Sequence, residues 1–123
     1  MILGTGGASK AIAFALEKFG IDFMYVSRNQ LSNGLTYKDL TKEIILNHSL
    51  IINCTPVGTF PEVTASPPLP YEYIGEQHML FDLIYNPSET AFLREGKIRG
   101  ARTENGLKML EFQAEAGWSI WNK

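Results

Sequence analysis

A glycine-rich segment near the start of the chain constrains the fold more than any other feature of the sequence. Residues 4–9 read Gly-Thr-Gly-Gly-Ala-Ser and follow a short apolar run at residues 1–3. Apolar residues then recur at helical spacing as far as the stop signal Gly20, at Ala8, Ile12, Ala15, Leu16 and Phe19. A strand, a glycine turn and a helix in this order are typical of a phosphate-binding turn, and a purely structural turn is the alternative.

Each small residue of this turn has a physical reason to be there. Gly4 permits the tight turn, and Gly6 lets a pyrophosphate approach the backbone without a Cβ in the way. Ser9 occupies the third fingerprint position, where Gly or Ala is usual, and is small enough for close helix packing. The free N–H groups and the dipole of the helix favour a negatively charged ligand.

Strand and helix patterns continue to alternate along the rest of the chain. Apolar runs predict strands at residues 1–3, 23–26, 50–53, 79–84 and 101–103, and helical spacing predicts helices at 7–19, 37–46, 89–99 and 106–121. Residues 56–70 hold five of the six prolines and are predicted to be an extended loop. This alternation predicts one α/β domain over residues 1–123, a Rossmann-like doubly wound parallel sheet in three α/β/α layers.

Composition excludes several classes of function. The net charge is −2 and no basic block is present, which argues against nucleic-acid binding. Cys54 is the only cysteine and the two histidines lack ligand spacing, so we expect neither a disulfide nor a metal site. No apolar stretch approaches the roughly 20 residues of a membrane span, and no secretory signal is visible. We therefore expect a cytoplasmic protein.

The end of the second strand indicates the type of dinucleotide. Enzymes that use NAD usually place a carboxylate there, about 20 residues beyond the glycines. This chain has Ser27, Arg28 and Asn29 instead. A guanidinium can pair with the 2′-phosphate of NADP and stack on adenine, while serine and asparagine add neutral donors. NADP is therefore favoured over NAD, and a solvated loop arginine is the alternative.

Three further segments resemble one enzyme family. They are Asn-Cys-Thr-Pro-Val-Gly at residues 53–58, Asp-Leu-Ile-Tyr-Asn-Pro at 82–87, and Asn-Gly-Leu-Lys-Met-Leu at 105–110 with Gln113 beyond. Together with the glycine turn, their order and spacing resemble the C-terminal, NADP-binding half of the shikimate dehydrogenase family, over essentially the whole chain.

The resemblance implies a set of site residues. It assigns pyrophosphate binding to Gly4, Thr5, Gly6, Gly7 and Ala8, and the adenosine phosphate to Ser27, Arg28 and Asn29. It places Cys54 and Thr55 along the nucleotide cleft, and Leu83 and Gly106 beside the nicotinamide. It also places Tyr85 and Gln113 against the shikimate hydroxyls. From the residues alone, Tyr85 follows a strand, where ligands bind in open α/β sheets, but a core or rim role is favoured over a ligand contact, and Gln113 is interpreted as a surface residue.

The same resemblance implies that the catalytic lysine and aspartate belong to an N-terminal domain that nothing in this chain matches. We predict no catalytic residue in this chain, so that it binds NADP but does not turn over shikimate by itself. The glycine turn begins after only three residues, as if the chain started inside its first strand. A free-standing NADP-binding sensor and a quinate dehydrogenase fragment are the alternatives. Trp118 and Trp121 in the apolar final helix predict some self-association.

Overall fold

The computed structural model describes residues 1–30 and 34–106, and this part of the chain forms one sheet of six parallel strands. The strands are β1 (Ile2–Leu3), β2 (Tyr25–Ser27), β3 (Gly34–Thr36), β4 (Leu50–Asn53), β5 (Met79–Asp82) and β6 (Arg102–Glu104). Their order across the sheet is β3-β2-β1-β4-β5-β6. The chain moves outward from β1 in one direction and from β4 in the other, which confirms the predicted Rossmann-like, doubly wound fold.

Helices connect β1 to β2, β3 to β4 and β5 to β6. They are α1 (Gly7–Lys18), α2 (Lys42–Leu46) and α3 (Ala91–Ile98), with short 3-10 turns at Tyr37–Asp39 and Tyr71–Tyr73. Right-handed crossovers in opposite directions along the sheet place α1 and α3 on opposite faces, which gives the predicted three layers. Within the described ranges, no helix is long and apolar enough to cross a membrane.

The segment between β2 and α2 differs from the sequence prediction in two ways. The prediction missed β3, a three-residue strand that pairs with β2 so that Ser27 lies opposite Thr36. The single helix predicted over residues 37–46 is also wrong. Thr36 and Thr41 each begin a separate helical segment, and Leu40 between these segments is extended and buried. Burial of this leucine in the core outweighs the propensity of the segment to continue as one helix.

The hydrophobic core covers both faces of the central strands. Ile51 and Ile52 are consecutive in β4 and both are buried, as expected for a parallel sheet between two helical layers. Phe92 of α3 is fully buried, and full burial of such a side chain contributes about 1.5–3 kcal/mol. A Cβ on Gly96 of α3 would press on the Leu80 side chain in β5, so glycine at this position allows the helix to lie close to the sheet.

Candidate functional site

The glycine-rich turn joins β1 to α1 at the carboxyl edge of the sheet. Gly4 has a φ of +103°, a conformation that residues with a side chain rarely adopt, and its N–H donates to the Val26 carbonyl at 2.8 Å. A Cβ on Gly4 would lie 3.0 Å from Cγ2 of Thr55. Glycine at this position therefore lets the turn pass close to the loop that follows β4.

The N-terminus of α1 is open to solvent. Gly6 is the N-cap residue, no side chain caps the helix, and the first turn carries no acidic residue. Gly7 and Ala8 are exposed. Ser9 is fully buried, as its small size predicts. Its hydroxyl donates to the Gly6 carbonyl at 2.6 Å, and this hydrogen bond stabilises the turn from its buried side. Uncapped N–H groups at a helix N-terminus form a favourable environment for a phosphate.

Arg28 follows β2 at the same edge of the sheet. Its side chain is exposed and forms no ion pair within residues 1–30 and 34–106. The half-buried Tyr37 lies close to it. Burial raises the pKa of the Tyr37 hydroxyl, and the nearby Arg28 charge opposes part of this rise. The Arg28 charge therefore lies near the Tyr37 side chain and has no ion pair among the described residues.

A cleft of about 340 Å³ brings most of the predicted cofactor residues together. The predicted residues that line it are Gly4, Thr5, Gly6, Ser27, Arg28, Asn29, Cys54 and Thr55. Gly7 and Ala8 do not line this cleft, but they form the first turn of α1 directly after it. The sequence analysis missed the remaining lining residues Tyr37, Pro56, Val57 and Pro68. Tyr37 could have been found by recognising β3, because residues that follow neighbouring parallel strands meet at one edge.

A buried hydrogen-bond network lies beneath the loops that follow β4 and β5. Asp82 is fully buried, and its carboxylate accepts hydrogen bonds from Asn53 Nδ2 at 3.1 Å, the Ile84 N–H at 3.0 Å and the Thr90 hydroxyl at 2.7 Å. Burial raises the pKa of this carboxyl, and the three hydrogen bonds oppose the rise. One side chain therefore ties the end of β4, the loop after β5 and the start of α3 together.

The network extends into the loop that lines the cofactor cleft. Asn53 Oδ1 accepts hydrogen bonds from the N–H and the hydroxyl of Thr55, at 3.0 and 2.6 Å. The Thr55 hydroxyl oxygen in turn accepts the Val57 N–H at 3.2 Å. Between these residues, burial and then the Asp82 charge raise the pKa of the Cys54 thiol to about 12. Cys54 is therefore a neutral thiol in the cleft wall.

A second groove, of about 350 Å³, lies between the loops that follow β4 and β5. It is lined by Thr59, Phe60, Leu83, Ile84, Tyr85 and Asn86, so it contains the predicted nicotinamide neighbour Leu83 and the predicted substrate residue Tyr85. The side chains of Phe60 and Tyr85 are 68% and 51% exposed, which leaves an aromatic rim open to a ligand or another domain. Gln113 lies outside the described residues.

Gly106 approaches the loop after β5 very closely. Its N–H donates to the Ile84 carbonyl at 3.4 Å, and a Cβ here would overlap the Leu83 carbonyl oxygen. The structure thus gives Gly106 a reason to lack a side chain that the sequence analysis did not foresee. Its contact with a nicotinamide ring stays a prediction.

The described residues offer little for acid–base or metal chemistry. Lys10 is exposed on α1, and the Asp39 carboxylate accepts hydrogen bonds from the N–H and hydroxyl of Thr36, both at 2.9 Å, which lower its pKa. In the described part of the chain, no group of three or more His, Cys, Asp or Glu residues is placed to hold a metal ion.

The sheet order and the glycine turn at its switch point define the class: this chain is a Rossmann-like α/β domain. No family model matches it. The shikimate dehydrogenase (NADP+) of Methanococcus maripaludis is 39% identical over 136 aligned positions, which take in 98% of this chain and 48% of that protein. The enzyme of the same name from Caldicellulosiruptor saccharolyticus is 35% identical over 134 positions, with the same shares covered.

A solved structure agrees with these relatives. The crystal structure of shikimate 5-dehydrogenase from Thermus thermophilus in complex with NADP(H) and shikimate matches with a TM-score of 0.82 and 33% identity, over 98% of this chain and 47% of that one. The chain is thus a homologue of the shikimate dehydrogenases, which confirms the resemblance seen in its sequence. It spans about half the length of the relatives it matches.

Proposed function

We propose that this chain is the cofactor-binding half of an NADP-dependent shikimate dehydrogenase and that it binds NADP(H). The observation that carries this proposal is the cleft lined both by the uncapped start of α1 and by Arg28, which has no ion pair among the described residues. The relatives are named as NADP+ enzymes, and the Thermus structure contains NADP(H) and shikimate. Geometry and homology therefore point to the same ligand.

The cleft fits a dinucleotide in one direction. The pyrophosphate would lie over residues 4–8, where the turn leaves backbone N–H groups open. The adenosine phosphate would lie at Ser27, Arg28 and Asn29, because a guanidinium pairs well with a phosphate and no carboxylate at the end of β2 repels it. The nicotinamide end would then extend past Cys54 and Thr55 toward Leu83 and Gly106.

The second groove is the proposed place of contact with the substrate. When bound, the cofactor supplies or accepts the hydride in the interconversion of 3-dehydroshikimate and shikimate. Tyr85 stands at the carboxyl end of β5 with its side chain half exposed, so its hydroxyl can bind a substrate hydroxyl. Gln113 is assigned the same role by the resemblance alone.

The chain by itself is expected to bind cofactor without turnover. General acid–base catalysis needs a group of suitable pKa within hydrogen-bond reach of the reacting atoms. Near the two clefts, the Cys54 thiol is neutral and the Asp82 carboxyl group is engaged in buried hydrogen bonds, so neither is placed to serve as that group. The catalytic pair that the resemblance implies belongs to the half of the relatives that this chain does not span.

The test is a titration of the purified chain with NADPH and with NADH, followed by calorimetry. We expect NADPH to bind more tightly. Arg28→Ala should remove most of this preference, a loss of about ten- to a hundredfold in NADPH affinity for a charge-assisted phosphate contact. Arg102→Ala is the matched control, because Arg102 is an exposed arginine on the opposite edge strand β6.

Shikimate oxidation by NADP+ is measured in the same samples. Tight NADPH binding without turnover supports the proposal in full. Turnover by the chain alone would contradict the assignment of catalysis to another domain. Failure of the folded chain to bind either dinucleotide would contradict cofactor binding itself.

A further inference from the structure

A third depression, which we call the side pocket, adjoins the cofactor cleft. Its volume is about 340 Å³ and it is lined by Arg28, Thr36, Tyr37, Lys38 and Pro68. Arg28, Tyr37 and Pro68 also line the cofactor cleft, so the two spaces share a wall. A ligand group that occupies the Arg28 end of the cleft can therefore reach the side pocket.

Strand pairing brings Lys38 to this place. Ser27 of β2 is in register with Thr36 of β3, and both strands end at these residues. The next residues, Arg28 and Tyr37, therefore leave the sheet at the same level, and Lys38 follows directly. The sequence alone did not indicate this neighbourhood, since β3 was not recognised.

Among the described residues, the two cations of the side pocket lack anionic partners. Neither Arg28 nor Lys38 forms an ion pair within residues 1–30 and 34–106. Two like charges that line one small depression repel each other. An anion bound there attracts both cations, and this attraction offsets the repulsion. Both groups can therefore bind an anion without first breaking an ion pair to a described residue.

The other polar groups around the side pocket do not compete for these cations. The Asp39 carboxylate is directed at the backbone N–H and the hydroxyl of Thr36, and Asp39 does not line the pocket. The Tyr37 hydroxyl remains a neutral donor, because burial raises its pKa. The pocket therefore presents two positive charges, one neutral hydroxyl and an apolar wall from Pro68.

We propose that Lys38, which lines the side pocket together with Arg28, is a second cationic contact for the 2′-phosphate of NADP. The proposal rests on the proposed function and adds a specificity-determining residue to it. Removal of one of two cations weakens the binding of a phosphate dianion more than it weakens the binding of a neutral ribose hydroxyl. Lys38 thus increases the preference for NADP over NAD.

The test compares Lys38→Met with Lys42→Met, a second exposed lysine four residues further on that lines neither the cleft nor the side pocket. Each variant is titrated with NADPH, NADH, adenosine 2′-monophosphate and adenosine 5′-monophosphate, after circular dichroism has shown that it is folded. We expect Lys38→Met to weaken NADPH and the 2′-monophosphate by about five- to tenfold, as for one exposed charge-assisted contact. NADH and the 5′-monophosphate should change less than twofold, and Lys38→Arg should retain most of the NADPH affinity.

The outcomes separate this inference from the function on which it rests. Unchanged NADPH affinity in Lys38→Met, with a large loss in Arg28→Ala, overturns the role of Lys38 and leaves NADP binding intact. An equal loss for NADPH and NADH also overturns it, because Lys38 would then act on the shared part of the cofactor. A wild-type chain that binds neither dinucleotide contradicts the proposed function, and the adenosine 2′-monophosphate titration then decides whether the side pocket binds a phosphate by itself.

Discussion

The polar groups around the cofactor cleft and those beneath the loop after β5 are arranged in opposite ways. At the start of α1 and at Arg28, donors and charge face solvent and have no protein partner among the described residues. Around Asp82, each carboxylate oxygen is hydrogen-bonded and fully enclosed. No buried side-chain nitrogen or oxygen of the described residues lacks a hydrogen-bond partner. Open groups mark where a ligand can bind, and closed groups hold the loops that surround it.

Cys54 lies between these two regions and provides the largest expected effect. Its thiol lines the cleft, yet burial and the Asp82 charge raise its pKa to about 12 from 9.0. At pH 8 this lowers the thiolate fraction about a thousandfold, and alkylation needs the thiolate. We expect iodoacetamide to modify the folded chain more slowly than the urea-unfolded chain, by a factor of up to about a thousand, measured by mass spectrometry. Equal rates in the two states would show that the cleft wall is not closed around the thiol.

The closed region should matter most for stability. Asp82→Ala would leave the Asn53 amide, the Ile84 N–H and the Thr90 hydroxyl without their acceptor in a buried site. We expect a loss of about 2–4 kcal/mol in the free energy of unfolding, measured by urea denaturation. A loss below about 0.5 kcal/mol would mean that other groups or water replace the carboxylate.

Asp82→Asn is the matched control. The difference in stability between wild type and this variant should depend on pH with a defined sign. Burial raises the pKa of Asp82 in the folded state above 3.8, so the folded chain binds this proton more tightly than the unfolded chain. The resulting stability is complete below pH 3.8 and is lost as the pH rises through the folded-state pKa. The stability of wild type relative to Asp82→Asn should therefore fall from acid to neutral pH. A difference that grows with pH would show that the ionised carboxylate is the favoured form.

The open region should respond to Gly4→Ala, which has the smallest effect on stability. A φ of +103° and a contact of 3.0 Å to Thr55 Cγ2 make a side chain unfavourable here, at a cost of about 1–3 kcal/mol. The methyl group also narrows the cleft, so we expect calorimetry to show a loss of NADPH affinity. Asp82→Ala, compared under conditions where both variants are folded, should keep the greater share of that affinity. If Gly4→Ala retained more NADPH affinity than Asp82→Ala, the distinction between an open binding region and a closed supporting region would be wrong.

The sequence indicated the open region far better than the closed one. Gly4, Gly6 and Arg28 belong to local patterns whose spacing along the chain carries their meaning, and the structure gathers them in one cleft. The Asn53–Asp82 hydrogen bond joins residues 29 positions apart, and no local periodicity encodes such a pair. The strand β3 was missed for a related reason. Gly-Leu-Thr is too short to show a period, and its pairing with β2 makes it a strand.

The pairing of Ser27 with Thr36 has a consequence for how cofactor preference can change during evolution. Arg28 and Lys38 line one pocket because of that register, and not because of the number of residues in the connection from β2 to β3. This connection can gain or lose residues in evolution while the proposed phosphate contacts of Arg28 and Lys38 survive. A slip of one position in the pairing, by contrast, would direct the lysine away from the arginine and uncouple the two charges in a single step.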